Sequence, residues 1–253
     1  MLRAHGITDP GRIRSTNEDC FSIDDELQLL VVADGMGGHN AGEVAARMAV
    51  QGVVGYVRET ARLRPDDEWP FGFDPSLSKT GNRLRTAIHL ANVHILEVSM
   101  TADAYAGMGT TLVSALVEDG RLAVGHVGDS RLYLLAANEL RPLTRDDSWT
   151  AALMARHPRA NTVSMDHLRN ALTNVVGARP HTDVHVSETT LRGGEVLVLV
   201  TDGVHGVLDD RWLFRILTRT DDEREMADGL VEAAITGGSS DNCTAVVGRY
   251  IAG

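Results

Sequence analysis

Leu29-Leu30-Val31-Val32-Ala33-Asp34-Gly35 is an unbroken apolar run that ends in an aspartate and a glycine. The pattern returns at Val196-Leu197-Val198-Leu199-Val200-Thr201-Asp202-Gly203. Short runs of aliphatic and β-branched residues read as buried strands. Residues 110–117, 122–127, 131–135 and 244–247 share that composition, and Glu118-Asp119-Gly120 between two of them reads as a hairpin turn. Two longer stretches keep a helical spacing of three and four. In 42–62, Val44/Met48 and Ala45/Ala49 precede Val53 and Val57; in 78–100 the series is Leu84, Ile88, Ala91, Ile95 and Val98. Shorter helices fit 151–156, 210–218 and 223–235. The loop between the long helices holds Pro65, Pro70 and Pro75 with Trp69, Phe71 and Phe73, and is predicted to pack down. Strands linked by short turns, with helices grouped in pairs, predict an α+β fold of antiparallel sheets covered by helices. No repeat or linker interrupts 1–253, which reads as one domain.

Composition narrows the function classes. The chain has 253 residues, 43% hydrophobic but only 4% aromatic, so its core must be aliphatic. A chain of this length buries roughly 70–75% of its unfolded surface and needs no disulfide or zinc staple. Lys and Arg number 24 against 35 Asp and Glu, a net charge of −11 without any basic block. That is not the electrostatic footprint of a nucleic-acid binder. No apolar run exceeds six residues, too short for a membrane span. Met1-Leu2-Arg3-Ala4-His5-Gly6 has no apolar stretch for a signal peptide, and the two cysteines form no Cys-x-x-Cys pair. The expectation is a reduced, cytoplasmic protein.

The position of the acids says more than their number. Asp34 and Asp202 close the two apolar runs, Asp129 follows the strand through Val124 and Val127, and Asp241 stands just before the strand at 244–247. Asp and Gly are ordinary turn residues at strand ends. Four such ends together, however, suggest carboxylates that converge. Each like-charged pair near 4 Å costs about 4 kcal/mol at an effective dielectric of 20, so such a cluster needs protons or cations. Oxygen ligands without Cys or paired His point to magnesium or manganese rather than zinc. A second cluster, Arg14-Ser15-Thr16-Asn17-Glu18-Asp19, sets a guanidinium beside two acids. Alone it is a surface ion pair; beside metals it becomes half of a phosphate clamp.

In chain order stand Arg14-x-x-Asn17-Glu18-Asp19, Asp34-Gly35-Met36-Gly37-Gly38, Gly109-Thr110-Thr111, Val127-Gly128-Asp129-Ser130-Arg131, Leu143-Thr144-x-Asp146, Thr201-Asp202-Gly203 and Ser240-Asp241-Asn242-x-Thr244. Together they resemble the metal-dependent serine/threonine protein phosphatases, type 2C, in their compact bacterial form. The resemblance implies an α-β-β-α sandwich, two stacked antiparallel sheets each covered by helices. It implies two Mn2+ or Mg2+ ions, bridged by Asp34, with the Gly35 carbonyl on one and Asp202 and Asp241 on the other. Asp129, with Asp202, matches the position of a weaker third ion. Glu18 and Asp19 would orient metal-bound waters, and Arg14 would bind the substrate phosphate. A metal-activated water would attack phosphorus directly, with no covalent phosphoenzyme. The substrates implied are phosphoproteins made by a eukaryotic-type Ser/Thr kinase, and the expected state is a monomer in signal transduction.

The chain also departs from the family pattern. Many members carry His where this chain has Met36, which leaves the proton donor to the leaving group open between a metal-bound water and His39. Asp146-Asp147-Ser148 stands where relatives commonly have Asp-His-Ser. Asp147 is either tolerated loop variation or a change in third-metal affinity or substrate preference. Residues 149–177 match the variable flap, where Arg156 and His157-Pro158-Arg159 bring positive charge. Cys20 and Cys243 flank site residues; buried thiols are the default, and oxidation between them requires neighbouring strands. His89 and His94 are expected to pack or solvate. A silent binding module of the same fold would have lost Asp34, Asp202 or Asp241, and all three are present.

Overall fold

The computed structural model describes residues 1–38, 41–62, 68–156 and 171–252. Among the described residues, eleven strands form two antiparallel sheets. The first contains, in spatial order, β1 (Leu2–Asp9), β11 (Cys243–Tyr250), β10 (Val196–Val200), β7 (Arg131–Ala136) and β8 (Glu139–Pro142). The second runs β2 (Asp19–Asp24), β3 (Leu29–Met36), β5 (Leu112–Glu118), β6 (Arg121–Val127) and β9 (His185–Thr190), with β4 (Gly109–Thr110) paired to the end of β3.

The apolar runs explain the layering. Along β3, Leu29, Val31 and Ala33 face one cluster with α1 (Ala41–Glu59) and α2 (Lys79–Ser99), while Leu30 and Val32 face the opposite sheet. Along β10, Leu197 and Leu199 join Leu30 and Val32 between the sheets. Val196, Val198 and Val200 pack outward against α5 (Asp210–Leu217) and α6 (Glu223–Thr236). A strand covered on both faces cannot alternate with polar residues, so continuous apolar runs mark the centres of the two sheets. The result is the α-β-β-α sandwich, with helices on both outer faces.

Local signals fix the ends. Asp119 (φ 51°) and Gly120 (φ 75°) make the two-residue β5–β6 turn that Asp-Gly favours. Ser78, Asp209 and Asp222 cap α2, α5 and α6, each side chain accepting from a backbone N–H in the first turn. Trp69 is buried edge-on to Phe73, and Phe71 stacks on His89 at 4.9 Å, so the described part of the proline-rich loop packs down as expected. Pro65 lies outside the described residues.

Four strands and one helix are absent from the sequence reading. β1 and β9 carry polar residues on both sides of their few apolar ones, and β2 is half-covered along most of its length. β8 returns from β7 through Ala137 and Asn138, both at positive φ, a turn without the usual glycine. Asp202 opens a four-residue helix, α4 (Asp202–His205), where only a strand end was expected. The helix at 151–156 is present as α3 (Trp149–Arg156).

Candidate active site

One end of the two sheets gathers the acids. Asp34 lies in the last turn of β3 and pairs across the ladder with Asp19 of β2. Asp129 follows β6, Asp202 opens α4 after β10, and Asp241 precedes β11. Arg14, Glu18, Asp34, Gly35, Met36, Asp129, Asp202 and Asp241 line one cleft of about 430 Å³, with Leu172 and Val175 as its apolar wall. Asp19 is buried beneath it. A wider trough of about 910 Å³ shares Asp129, Asp202 and Asp241 with the cleft and runs between Met154 and Val207 over Arg131 and Asp146.

Hydroxyls and amides hold these acids in place. Thr201 Oγ1 (2.9 Å) and Thr244 Oγ1 (2.6 Å) both donate to Asp19 Oδ2. Thr111 Oγ1 accepts from Asp34 N at 3.1 Å, while Thr111 N and Thr110 Oγ1 donate to the Asp34 carbonyl, each at 2.8 Å. Asn242 ties the Arg14–Asp19 loop to β11: its Oδ1 accepts from Glu18 N at 2.9 Å, and its Nδ2 donates to Pro10 O and Thr16 O. His205 Nε2 donates to Asp129 O at 3.0 Å. The roles of Thr111, Thr201, Asn242 and Thr244 were not read from the sequence, although all four stand inside the quoted motifs. His205 had no signal beyond lying three residues past Asp202.

The glycines after Asp34 and Asp202 are not turn residues. A Cβ on Gly35 would sit 2.0 Å from Gly42 O, and one on Gly203 would sit 1.9 Å from Asn242 O. Each Asp-Gly pair therefore marks a place where another backbone closes onto the acid's own strand or helix.

Electrostatics set this cluster apart from ordinary turn acids. Burial, then repulsion from Asp19, Asp202, Asp129 and Asp241, pushes Asp34 well above the usual carboxylate range. Burial also lifts Asp19 and Asp129, each to about 7, and raises Asp202 and Glu18. Burial with the nearby Arg131 lowers His205 to about 4, so the ring is neutral where it donates to Asp129. Glu18 Oε1, Asp19 Oδ1 and Asp202 Oδ1 are buried without a hydrogen-bond partner. Orphaned anionic oxygens are costly, and a divalent cation would satisfy them. Among the described residues no three His, Cys, Asp or Glu side chains are grouped so that they alone could hold a metal ion. An open set of carboxylates suits a hard ion that keeps several waters.

Comparison with known proteins follows the same lines. The family model described as Protein phosphatase 2C matches residues 14–233. The chain belongs to the protein phosphatase 2C family. The Listeria monocytogenes serine/threonine phosphatase stp is 33% identical over 250 residues, covering 97% of this chain and 95% of that protein. The crystal structure of the Mycobacterium tuberculosis serine/threonine phosphatase PstP/Ppp superposes with a TM-score of 0.84 at 29% identity over 99% of both chains. A structure of the PstP catalytic domain in complex with two manganese ions gives 0.82 at 30% identity, again over 99% of both.

Within this phosphatase fold, the other side chains singled out in the sequence have definite partners. Arg14 Nη2 donates to Asp241 Oδ2 at 2.7 Å, so its partner in this structure is a carboxylate. Asp146 is held by Arg131 through two bonds, 2.9 and 2.8 Å, and faces the trough. Asp147 lines neither space: its carboxylate accepts from Gly128 N, Asn174 and His185. Cys20 packs on the α1–α2 side and Cys243 on the α5–α6 side, and burial raises both thiols. Opposite layers leave no path to a disulfide between them. His39, His157, Pro158 and Arg159 lie outside the described residues, as do the remaining flap residues 160–170.

Proposed function

We propose that this protein hydrolyses phosphoserine and phosphothreonine in protein substrates, using Mn2+ or Mg2+ held in the acidic cleft. The observation that carries the reading is the convergence of Asp34, Asp129, Asp202 and Asp241 on one cleft with orphaned carboxylate oxygens around it. Asp34 and the Gly35 carbonyl, with Asp202 and Asp241, would hold two ions, and Asp129 with Asp202 a weaker third. When bound, such ions lower the pKa of water and neutralise charge on a phosphoryl group.

The chain's own residues supply the rest. Glu18 and Asp19 present buried oxygens that orient water from beneath the cleft. Arg14, more than half exposed at the mouth, can exchange Asp241 for a phosphate without crossing the core. No Cys or Ser is needed as a nucleophile, and both thiols are directed into the helix layers. Met36 lines the cleft but cannot donate a proton, which leaves a water in the cleft, ahead of His39, as the proposed donor to the leaving alkoxide. The trough between Met154 and Val207 gives the polypeptide flanking the phosphoresidue a place to lie. Residues 1–253 act as one catalytic domain with 149–177 as its variable flap. They work as a monomer, in signalling against a eukaryotic-type Ser/Thr kinase.

Matched peptides carrying phosphoserine, phosphothreonine or phosphotyrosine test this reading. Phosphate release from the first two, dependent on Mn2+ and abolished by EDTA, is expected. Folded protein that releases none would make the chain a binding module instead.

A further inference from the structure

Asp147 is where this chain departs from the family's usual His, and the structure gives the departure a partner. Asp147 Oδ2 accepts from Gly128 N at 3.1 Å and from Asn174 Nδ2 at 2.8 Å, and Oδ1 accepts from His185 Nε2 at 2.9 Å. Its backbone N–H donates to Gly128 O at 2.9 Å, so Gly128, the residue before Asp129, is bracketed from both sides. The Asp147 carbonyl accepts from Thr173 N at 2.8 Å, and Ser148 bridges Leu172. Asn174 extends the link through its own bonds to Asp183 O (2.8 Å) and Thr182 Oγ1 (2.9 Å). His185, on the edge strand β9, stacks on His126 at 4.9 Å.

We propose that the Asp147–His185 ion pair, with Asn174, is a latch that pins the exit of the 149–177 segment to the Gly128–Asp129 loop, making these residues positioning residues for Asp129. The inference rests on the metal reading of the cleft. Three donors converge on one carboxylate that is itself mostly buried, so removing any one of them leaves that carboxylate short of a donor. The same residues hold Leu172 and Val175, the apolar wall opposite Asp34. Asp147 thus holds the backbone of Gly128, next to Asp129, and His205 holds the Asp129 main-chain carbonyl.

The test uses the metal-stripped full chain titrated with Mn2+, with free Mn2+ counted by electron paramagnetic resonance. The binding event lost in Asp129→Asn identifies the Asp129 site. His185→Ala, at a half-exposed sheet edge, is expected to weaken that event about tenfold, the usual range for a residue that orients a metal ligand. Its melting temperature should fall by only about 2–4 °C for each kcal/mol lost, leaving the protein folded, and the tighter events should be unchanged. His185→Gln, whose amide can still donate to Asp147 Oδ1, should recover most of the loss. An unchanged Asp129 event in His185→Ala, or a folded His185→Gln protein no better than His185→Ala, overturns the latch. A parent with no Asp129-dependent event defeats the metal reading of Asp129, and the latch with it.

Discussion

Asp19 shows at the smallest scale how the cleft stores charge. One oxygen takes two threonine hydroxyls, and the other is buried with nothing to accept from. Arg14 is the complementary residue, a guanidinium resting on Asp241 at the rim. Charge-assisted hydrogen bonds contribute about 1.5–3 kcal/mol, so Arg14→Ala should lower kcat/KM for a phosphopeptide roughly tenfold to a hundredfold. Steady-state kinetics at saturating Mn2+ measure it; a loss under twofold would remove Arg14 from phosphate binding. Gly203→Ala is expected to destabilise by about 1–3 kcal/mol, because its Cβ would overlap Asn242 O and push Asp241 away. Urea unfolding reads the change. The acids at the strand ends were legible because Asp34 and Asp202 close apolar runs, while Asp129 and Asp241 stand at the borders of other strand-like segments. The direction of Asp147 was not, because it depends on where the chain returns at Thr173 and Asn174.

Among the elements, β3 and β10 announced themselves, and β1, β8 and β9 did not. A central strand must be apolar on both faces, whereas an outer strand is held chiefly by backbone hydrogen bonds that any sequence can make. β1 pairs with β11 over its whole length, from Leu2–Tyr250 to Asp9–Cys243, yet its residues are mostly half-exposed. The long helices were legible from periodicity, but the buried arginine on α2 was not. Arg83 donates to Glu118 at the β5–β6 hairpin and to Val57 O at the end of α1, with a longer bond to Thr60. Thr80 also donates to Glu118, so one carboxylate joins α2 to the sheet. Glu118→Ala would leave a fully buried guanidinium without its counter-ion, a loss of about 3–5 kcal/mol where such a pair is broken. Partial exposure of Glu118 places the expectation at the lower end of that range. A melting temperature equal to the parent's would contradict it.

For the molecule as a whole, the net charge of −11 is not spread evenly. Asp146 is neutralised by Arg131 and Asp241 by Arg14, whereas Asp19, Asp34 and Asp202 crowd together with raised affinities for protons. Without metal, Asp19 and Asp129 hold protons up to about pH 7 in the native state but release them near the usual 3.8 when unfolded. The native state then binds more protons, so stability falls as pH rises between those values, by roughly 1.4 kcal/mol per pH unit for each proton. Thermal unfolding of EDTA-treated protein should show a lower melting temperature at pH 7.5 than at about pH 5.5. Saturating Mn2+ should raise the melting temperature most at the higher pH, since cations replace the protons. A metal-free protein that gains stability over that interval would contradict the assigned crowding.

Mn2+ added stepwise to the EDTA-stripped protein, with phosphate release from a phosphothreonine peptide followed at each step, tests the cleft most directly. The parent should go from no release to full turnover as Mn2+ saturates, and Asp34→Asn should stay inactive at every concentration while remaining folded. Release by the stripped parent, or an Asp34→Asn protein that Mn2+ activates as it does the parent, would contradict a metal site built on Asp34.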